Sequence, residues 1–210
     1  MTKEKAVKVL EELTRLYPEA RAELHFSNPF ETLIATILSA QCTDRRVNMV
    51  TETLFRDYPN AAALGALTQP QLEARIKECG LYRMKAANIL AACHELTEKY
   101  GGQVPNTREA LMALPGVGQK TAGVVLMAAF QDDQIPVDTH VFRLAHRLGL
   151  SDGKTPEAVE KDLRAVIPEK YYTRAHHLLI FHGRYTCKSR RPECDKCMVK
   201  EYCVNPDFHS

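Results

Sequence analysis

The chain is 210 residues long and 45% hydrophobic, which suits a globular protein of one or two domains. Its N-terminal residues carry mixed charge without the apolar core of an export signal, and its apolar runs fall short of the roughly 18 residues needed to span a bilayer. We therefore expect a cytoplasmic protein without membrane association. The net charge of +2 permits a nucleic-acid partner but does not by itself predict one.

Helix starts are indicated where a capping residue is followed by proline, or by glutamate or glutamine at the third helical position. Four such starts occur, at Asn28, Thr68, Asn106 and Thr155. The helix that begins after Thr68 is expected to end at Gly80, because glycine is a common helix terminator. No stretch alternates polar and apolar residues over the length of a strand, so the sequence predicts an all-α fold.

A glycine-containing turn, Leu114–Ala122 (LPGVGQKTA), joins two of the predicted helices. Gly116 and Gly118 would permit positive φ and close backbone approach, so the N–H groups that open the second helix could point at an anion such as a phosphate. An ordinary helix–helix turn is the alternative that two glycines alone would favour. A P-loop is excluded because the two glycines that it requires are replaced by Leu114 and Gln119.

Lys120 and Asp138 are the candidate catalytic side chains. An amine nucleophile must be neutral, and the helix dipole together with an expected partial burial of Lys120 would favour the neutral form. The polar segment Gln131–Pro136 interrupts the apolar pattern and is the predicted crossing between domains. Asp138 follows this crossing, where it could cap a helix, face Lys120 across a cleft, or do both.

Four of the seven cysteines lie close together near the C-terminus, with six, two and five residues between them: Cys187, Cys194, Cys197 and Cys203. Four thiolates in a short segment predict a site for a soft metal, and the spacing is unlike the paired arrangement of most structural zinc sites. The spacing alone nevertheless does not exclude zinc as the bound metal. Three nearby histidines are interpreted as packing or hydrogen-bonding residues, namely His176, His177 and His182.

The same segment is rich in basic side chains. No acidic residue interrupts the run that contains Arg184, Lys188, Arg190 and Arg191. An ordered loop could therefore hold these cations where a phosphate backbone would reach them, although a merely solvated basic face is the alternative.

In combination, these motifs resemble the endonuclease III family of DNA glycosylases over residues 28–203. The resemblance is carried by LSAQCTD at 38–44, GLY at 80–82, the glycine turn with its lysine, VDTH at 137–140 and the four-cysteine spacing. It implies an all-α fold of two helical domains with a DNA-binding cleft between them. The helix-hairpin-helix domain would span residues 22–132, and the iron-sulfur domain would comprise residues 1–21 plus 133–210.

The resemblance also implies a role for each candidate residue. Lys120 would be the nucleophile and Asp138 its catalytic carboxylate, and the four cysteines would ligate a [4Fe-4S] cluster. Gln41 and Leu81 would enter the base stack when a nucleotide is flipped out. Further DNA contacts would come from Gly116, Val117, Gly118, His140, Lys188, Arg190 and Arg191. Gln119 departs from the arginine expected before the lysine, which weakens one possible phosphate contact.

The implied function is base-excision repair by a bifunctional enzyme. It would remove oxidised pyrimidines from double-stranded DNA and nick abasic sites by β-elimination through a Lys120 Schiff base, acting as a monomer. Related adenine glycosylases lack the lysine and carry an added C-terminal domain. The presence of Lys120 and the end of the chain at Ser210 therefore favour a glycosylase with lyase activity. Two other classes remain as alternatives, a non-catalytic helix-hairpin-helix module stabilised by zinc and an iron-sulfur electron carrier.

Overall fold

The computed structural model describes residues 2–204, which form eleven α-helices and three short 3-10 helices and contain no β-strand. The predicted all-α fold is confirmed. None of these helices has both the length and the apolar character needed to cross a membrane. In chain order the α-helices are α1 (Lys3–Leu16), α2 (Pro29–Ser39), α3 (Asp44–Asp57), α4 (Ala61–Gly65), α5 (Gln69–Ile76), α6 (Tyr82–Tyr100), α7 (Arg108–Met112), α8 (Gln119–Phe130), α9 (Thr139–Arg147), α10 (Pro156–Val166) and α11 (Tyr172–Tyr185). The 3-10 helices are Glu169–Tyr171, Cys194–Lys196 and Lys200–Tyr202.

Three of the four predicted helix starts are confirmed. The side-chain oxygen of Asn28 accepts a hydrogen bond from the backbone N–H of Glu31 at 2.9 Å. At the start of α5, the backbone N–H of Thr68 donates to the side chain of Gln71 at 2.8 Å, which is one half of a capping box. Thr155 caps α10 with its hydroxyl. Local capping chemistry therefore fixes these starts.

Two predicted helix boundaries are wrong. Helix α7 is capped by Thr107 and not by Asn106, because the carbonyl of Thr107 accepts the first helical hydrogen bond while its hydroxyl accepts from the backbone three residues later. Helix α5 ends at Ile76, earlier than the predicted stop at Gly80. The chain leaves the helix there because Cys79 N–H donates back to the Ile76 carbonyl at 2.8 Å.

The chain divides into two compact units, each with its own buried core. The first, called here the hairpin unit, is Glu23–Asp132. The second, called the cysteine unit, comprises residues 2–22 together with residues 133–204. Helix α1 therefore packs with helices from the other end of the chain, against α10 and α11.

Helix α2 is the centre of the hairpin unit and packs against α3, α6 and α8. Its residues from Phe30 to Leu38 are almost all buried, and Leu33, Ile34 and Leu38 are fully inaccessible. Burial of each such side chain stabilises a fold by about 1.5 to 3 kcal/mol. This packing gives a rigid platform for the turn that begins α8 and for the loop that follows α2.

Candidate active site

The turn between α7 and α8 requires glycine at only one of its two glycine positions. Gly116 has φ of +80°, and a Cβ added there would lie 2.9 Å from the Cβ of Asn88 on α6. Gly118 has φ of −98°, so the positive φ expected there is wrong, and a Cβ would meet nothing within 4 Å. Gly116 is therefore required by the fold, whereas Gly118 leaves open space beside the start of α8.

The start of α8 presents backbone donors to solvent. No side chain caps this end, and the first helical hydrogen bond runs from Ala122 N–H to the Gly118 carbonyl at 2.9 Å. Among the described residues, the backbone N–H groups of Gln119, Lys120 and Thr121 have no main-chain partner. Unpaired amides at the positive end of a helix dipole favour an anion.

Lys120 lies in the first turn of α8, and its side chain is exposed. The expected partial burial is therefore wrong in this structure. The reason is its position at the tip of the turn, where the next fully buried residue of α8 is Ala122. No hydrogen bond or ion pair holds the Lys120 amine within residues 2–204.

The neighbouring Gln119 makes a contact that the sequence did not reveal. Arg108 at the start of α7 donates from its guanidinium to the side-chain oxygen of Gln119 at 2.8 Å. A guanidinium therefore lies beside the position where the family resemblance predicts an arginine. The ten residues between Arg108 and Gln119 carry no pattern that indicates this pair.

Gln41 and Leu81 lie on two adjacent loops of the hairpin unit. The Gln41 loop (residues 40–43) follows α2, and the Leu81 loop (residues 77–81) precedes α6. A Cβ added at Gly80 would lie 3.0 Å from the Gln41 carbonyl oxygen, so the loops touch. The two side chains expected to enter the base stack therefore come from one place on the surface.

Both loops contain backbone strain. Gln41 has φ of +52° and Leu81 has φ of +58°, a region that large side chains rarely adopt. This conformation costs about 1 to 2 kcal/mol per residue. Leu81 is also 48% exposed, so its side chain is available to a partner. Strain of this kind concentrates at functional sites.

Asp138 caps α9 in the cysteine unit, as one of its two predicted roles requires. Its Oδ1 accepts hydrogen bonds from the backbone N–H groups of His140 and Val141, both at 2.8 Å. Its other oxygen, Oδ2, accepts no hydrogen bond within the described part of the chain. The residue is half-buried, so one carboxylate oxygen is held by the helix while the other stays open to a ligand.

The four clustered cysteines line one pocket of the cysteine unit: Cys187, Cys194, Cys197 and Cys203. Arg147 donates to the Cys187 sulfur at 3.2 Å, and His182 Nε2 lies 3.4 Å from the Cys197 sulfur. Burial, and then the charges of the other three cysteines, raise the pKa of Cys197 despite a backbone hydrogen bond that opposes them. Among residues 2–204, no group of three or more Cys, His, Asp or Glu side chains is arranged to hold a single metal ion.

His182 takes a defined orientation beside Cys197. Burial lowers the pKa of His182 to about 4, so the ring is neutral near pH 7 and carries one N–H. Tyr17 OH lies 3.3 Å from Nδ1 and 2.7 Å from the hydroxyl of Thr186. If Tyr17 donates its O–H to Nδ1, the N–H of the neutral ring is on Nε2 and points at the Cys197 sulfur. His176 hydrogen-bonds to the Pro136 carbonyl at 2.9 Å, in line with the predicted role.

The basic segment is less uniformly available than its sequence suggests. Lys188 forms an ion pair with Glu193, which lies just beyond the run without acidic residues. Hydrogen bonds from Lys188 and Lys196 lower the pKa of Glu193 to about 2. Arg190 and Arg191 are exposed, and no ion pair engages them in the part of the chain that the structure describes. These two arginines are the cations that the loop presents outward.

The chain is similar to known proteins of one family. The profile of the HhH-GPD superfamily of base excision DNA repair proteins matches residues 34–169. The chain is 48% identical over 196 residues to endonuclease III of Rickettsia conorii (strain ATCC VR-613 / Malish 7), covering 93% of each sequence. The chain belongs to the endonuclease III family. The resemblance inferred from its motifs is thereby confirmed.

Other members of the endonuclease III family agree with this assignment. The sequence from Escherichia coli (strain K12) is 45% identical over 203 residues, which is 97% of this chain and 96% of that one. A structure of a trapped endonuclease III–DNA covalent intermediate superposes with a TM-score of 0.93, covering 97% of this chain and 96% of the other at 45% identity. The chain is thus a bifunctional base-excision repair enzyme, a DNA glycosylase with lyase activity.

Proposed function

We propose that this endonuclease III chain removes oxidised pyrimidines from double-stranded DNA and then cleaves the abasic strand through a Lys120 Schiff base. The observation that carries the proposal is an exposed amine in the first turn of α8, next to a glycine turn whose backbone N–H groups have no main-chain partner. Trapping of a related endonuclease III as a covalent DNA intermediate supports an enzyme–DNA bond.

The chemistry proposed for Lys120 is covalent. Its neutral amine attacks the deoxyribose C1′, the damaged base departs, and the resulting Schiff base permits β-elimination of the 3′ phosphate. Asp138 would oppose the positive charge that develops on the sugar, since it retains a carboxylate oxygen beyond the one used in capping α9.

The proposed DNA contacts divide by role. The backbone of Gly116, Val117 and Gly118 would bind a phosphate at the start of α8, because that end presents open amides and open space. Gln41 and Leu81 would fill the gap left by the flipped nucleotide. Further side-chain contacts would come from His140, Lys188, Arg190 and Arg191, with Lys188 contributing less than the two arginines because Glu193 pairs with it.

We propose further that the four-cysteine pocket holds a [4Fe-4S] cluster, with Cys187, Cys194, Cys197 and Cys203 as ligands. Four sulfurs around one pocket, with an N–H donor of Arg147 directed at one and His182 Nε2 lying 3.4 Å from another, suit an anionic sulfur-ligated group. When bound, the cluster supplies a cross-link that orders the surrounding segment. Iron and sulfide analysis with visible absorption tests this, and stoichiometric zinc would contradict it.

The decisive experiment for Lys120 is borohydride trapping on an oligonucleotide with a single abasic site. Wild-type protein should form a reduced covalent adduct, and Lys120→Ala should form none while it still binds damaged duplex. Lys99→Ala is a matched control because Lys99 is an exposed lysine of the same unit, at the end of α6 away from the Leu81 loop. An adduct at the wild-type rate with Lys120→Ala would overturn the assignment, and no adduct with wild type would favour a non-catalytic DNA-binding module.

We also propose the domain organisation, the oligomeric state and the location of the protein. The hairpin and cysteine units correspond to the two domains of the enzyme, and the protein acts as a monomer in the cytoplasm where it meets chromosomal DNA. Light scattering of the purified holoprotein, free and on a short duplex, tests the monomer. A stable dimer in both samples would contradict it.

A further inference from the structure

The Gln41 and Leu81 loops each contain a cysteine outside the four-cysteine pocket. Cys42 directly follows Gln41, and Cys79 lies two residues before Leu81. The loops are in contact, since a Cβ added at Gly80 would approach the Gln41 carbonyl oxygen to 3.0 Å. Cys79 is fully buried and Cys42 is partly exposed, so a reagent from solvent would reach Cys42 first.

The two thiols are neighbours in space as well as in loop position. Cys79 belongs to the buried core of the hairpin unit, and Cys42 packs against the same core. Burial, and then the charge of Cys42, raise the pKa of Cys79 to about 12. Glu78 adds to this rise, whereas the charge of Lys85 opposes it. Cys79 is therefore a neutral thiol near pH 7.

A buried cation lies beside this pair. Lys85 on α6 is 2% exposed, and its amine donates to the Leu38 carbonyl at 2.8 Å. Burial lowers the pKa of Lys85, and the charges of Cys79 and Cys42 act in the opposite direction. A positive charge next to a sulfur stabilises the thiolate that forms during disulfide exchange.

The remaining cysteine of the hairpin unit has no such surroundings. Cys93 is fully buried in the core, and burial alone raises its pKa to about 12. It therefore provides an internal comparison, because it is an equally buried thiol without a neighbouring sulfur or cation among the causes of its shift.

We propose that Cys42 and Cys79 form an oxidisable dithiol site, which a small-molecule disulfide such as oxidised glutathione closes into a disulfide bond between the two loops. The Cys42 thiolate attacks the small disulfide, forms a mixed disulfide and releases one small thiol. The Cys79 sulfur then attacks the Cys42 sulfur and releases the second. The two protons of the dithiol end on the two released thiols, and the small disulfide gains the two electrons.

The bond would act on the two side chains that are expected to enter the base stack. It joins the Gln41 loop to the Leu81 loop and fixes the spacing between residues that already hold strained backbone conformations. Because a cross-link would restrict any adjustment of these loops to the base stack, we expect the oxidised form to excise bases more slowly. This consequence rests on the proposed function, whereas formation of the bond does not.

The test uses the holoprotein equilibrated in buffers with increasing ratios of oxidised to reduced glutathione. After free thiols are alkylated, a non-reducing peptide map should contain one new cross-link, Cys42 to Cys79, while visible absorption of the holoprotein stays constant. Cys93→Ala should retain the cross-link, and Cys42→Ala should lose it. Single-turnover excision should fall in the oxidised wild type and recover fully with dithiothreitol.

Each other outcome has a definite meaning. No cross-link in wild type under fully oxidised glutathione overturns the site, and this measurement does not depend on the folding of any variant. A cross-link with unchanged excision overturns the proposed effect on the loops. Failure of the function proposed above would be recognised separately, because the reduced protein would then give no borohydride adduct whether or not the cross-link forms.

Discussion

The two glycines of the α7–α8 turn provide a matched test of structure against function. Alanine at Gly116 must hold φ near +80° and would place its Cβ 2.9 Å from the Cβ of Asn88. The left-handed conformation costs about 1 to 2 kcal/mol and the overlap about 1 to 3 kcal/mol, so Gly116→Ala should lose about 2 to 5 kcal/mol of stability. At about 2 to 4 °C per kcal/mol for a chain of this size, the melting temperature should fall by roughly 4 to 20 °C.

Alanine at Gly118 should give the opposite result. Its φ of −98° suits any residue, and the added methyl group meets no protein atom within 4 Å. Stability should therefore stay within about 1 kcal/mol of wild type, since a lower entropy of the unfolded chain offsets the poorer cap. The methyl group would occupy the space proposed for a phosphate, so affinity for duplex DNA should fall.

The assay pairs thermal unfolding, followed by circular dichroism, with duplex binding measured by fluorescence anisotropy. The reasoning holds only if Gly116→Ala melts low and Gly118→Ala melts normally but binds weakly. Equal melting of wild type and Gly116→Ala would show that Asn88 and the turn adapt without cost. Normal duplex binding by Gly118→Ala would remove the proposed phosphate from this position.

Charged and titratable side chains provide three further tests. Asp138→Asn should keep α9 capped but lower single-turnover excision on the order of 100-fold, since it removes the charge; near-normal turnover would leave the residue a cap. Alanine at both Arg190 and Arg191 should flatten the plot of log K for duplex binding against log salt by up to about 0.9 for each arginine–phosphate pair removed, with little change in single-turnover cleavage; an unchanged slope would exclude phosphate binding by these arginines. Burial, and then the charge of Arg174, lower the pKa of His177 to about 4, so the unfolded chain takes up this proton at higher pH than the folded chain does. Stability should therefore fall as pH drops from about 6.5 towards 4, and urea unfolding of His177→Gln should show a shallower decline than wild type.

The features that the sequence predicted are those that local chemistry determines. Asn28 and Thr68 begin helices because their own side chains or the next turn satisfy the exposed N–H groups. Gly116 was recognisable because a two-glycine turn needs at least one left-handed residue. The two errors in helix boundaries displace a helix end by one to four residues. At such ends a neighbouring residue can cap or terminate the helix equally well.

The features that escaped prediction depend on interactions between distant parts of the chain. Arg147 donates to the Cys187 sulfur across 40 residues, and no pattern in either segment anticipates it. The exposure of Lys120 likewise depends on which neighbours cover the start of α8. The ion pair of Lys188 could have been predicted from the sequence, because Glu193 lies only five residues away and ends the basic run.

The position of α1 in the cysteine unit has a consequence for synthesis of the chain. The apolar face of this helix contains Ala6, Val9, Leu10 and Leu13, all buried in the finished protein, and Tyr17 directly after it meets His182 across 165 residues. At about 5 to 20 residues per second, the ribosome needs roughly 8 to 33 s to supply that partner. During this interval the hairpin unit can complete its own core, while the apolar face of α1 has no partner to pack against. A later part of the nascent chain must therefore return to α1, and a chaperone that binds apolar helices would find a target in this helix until then.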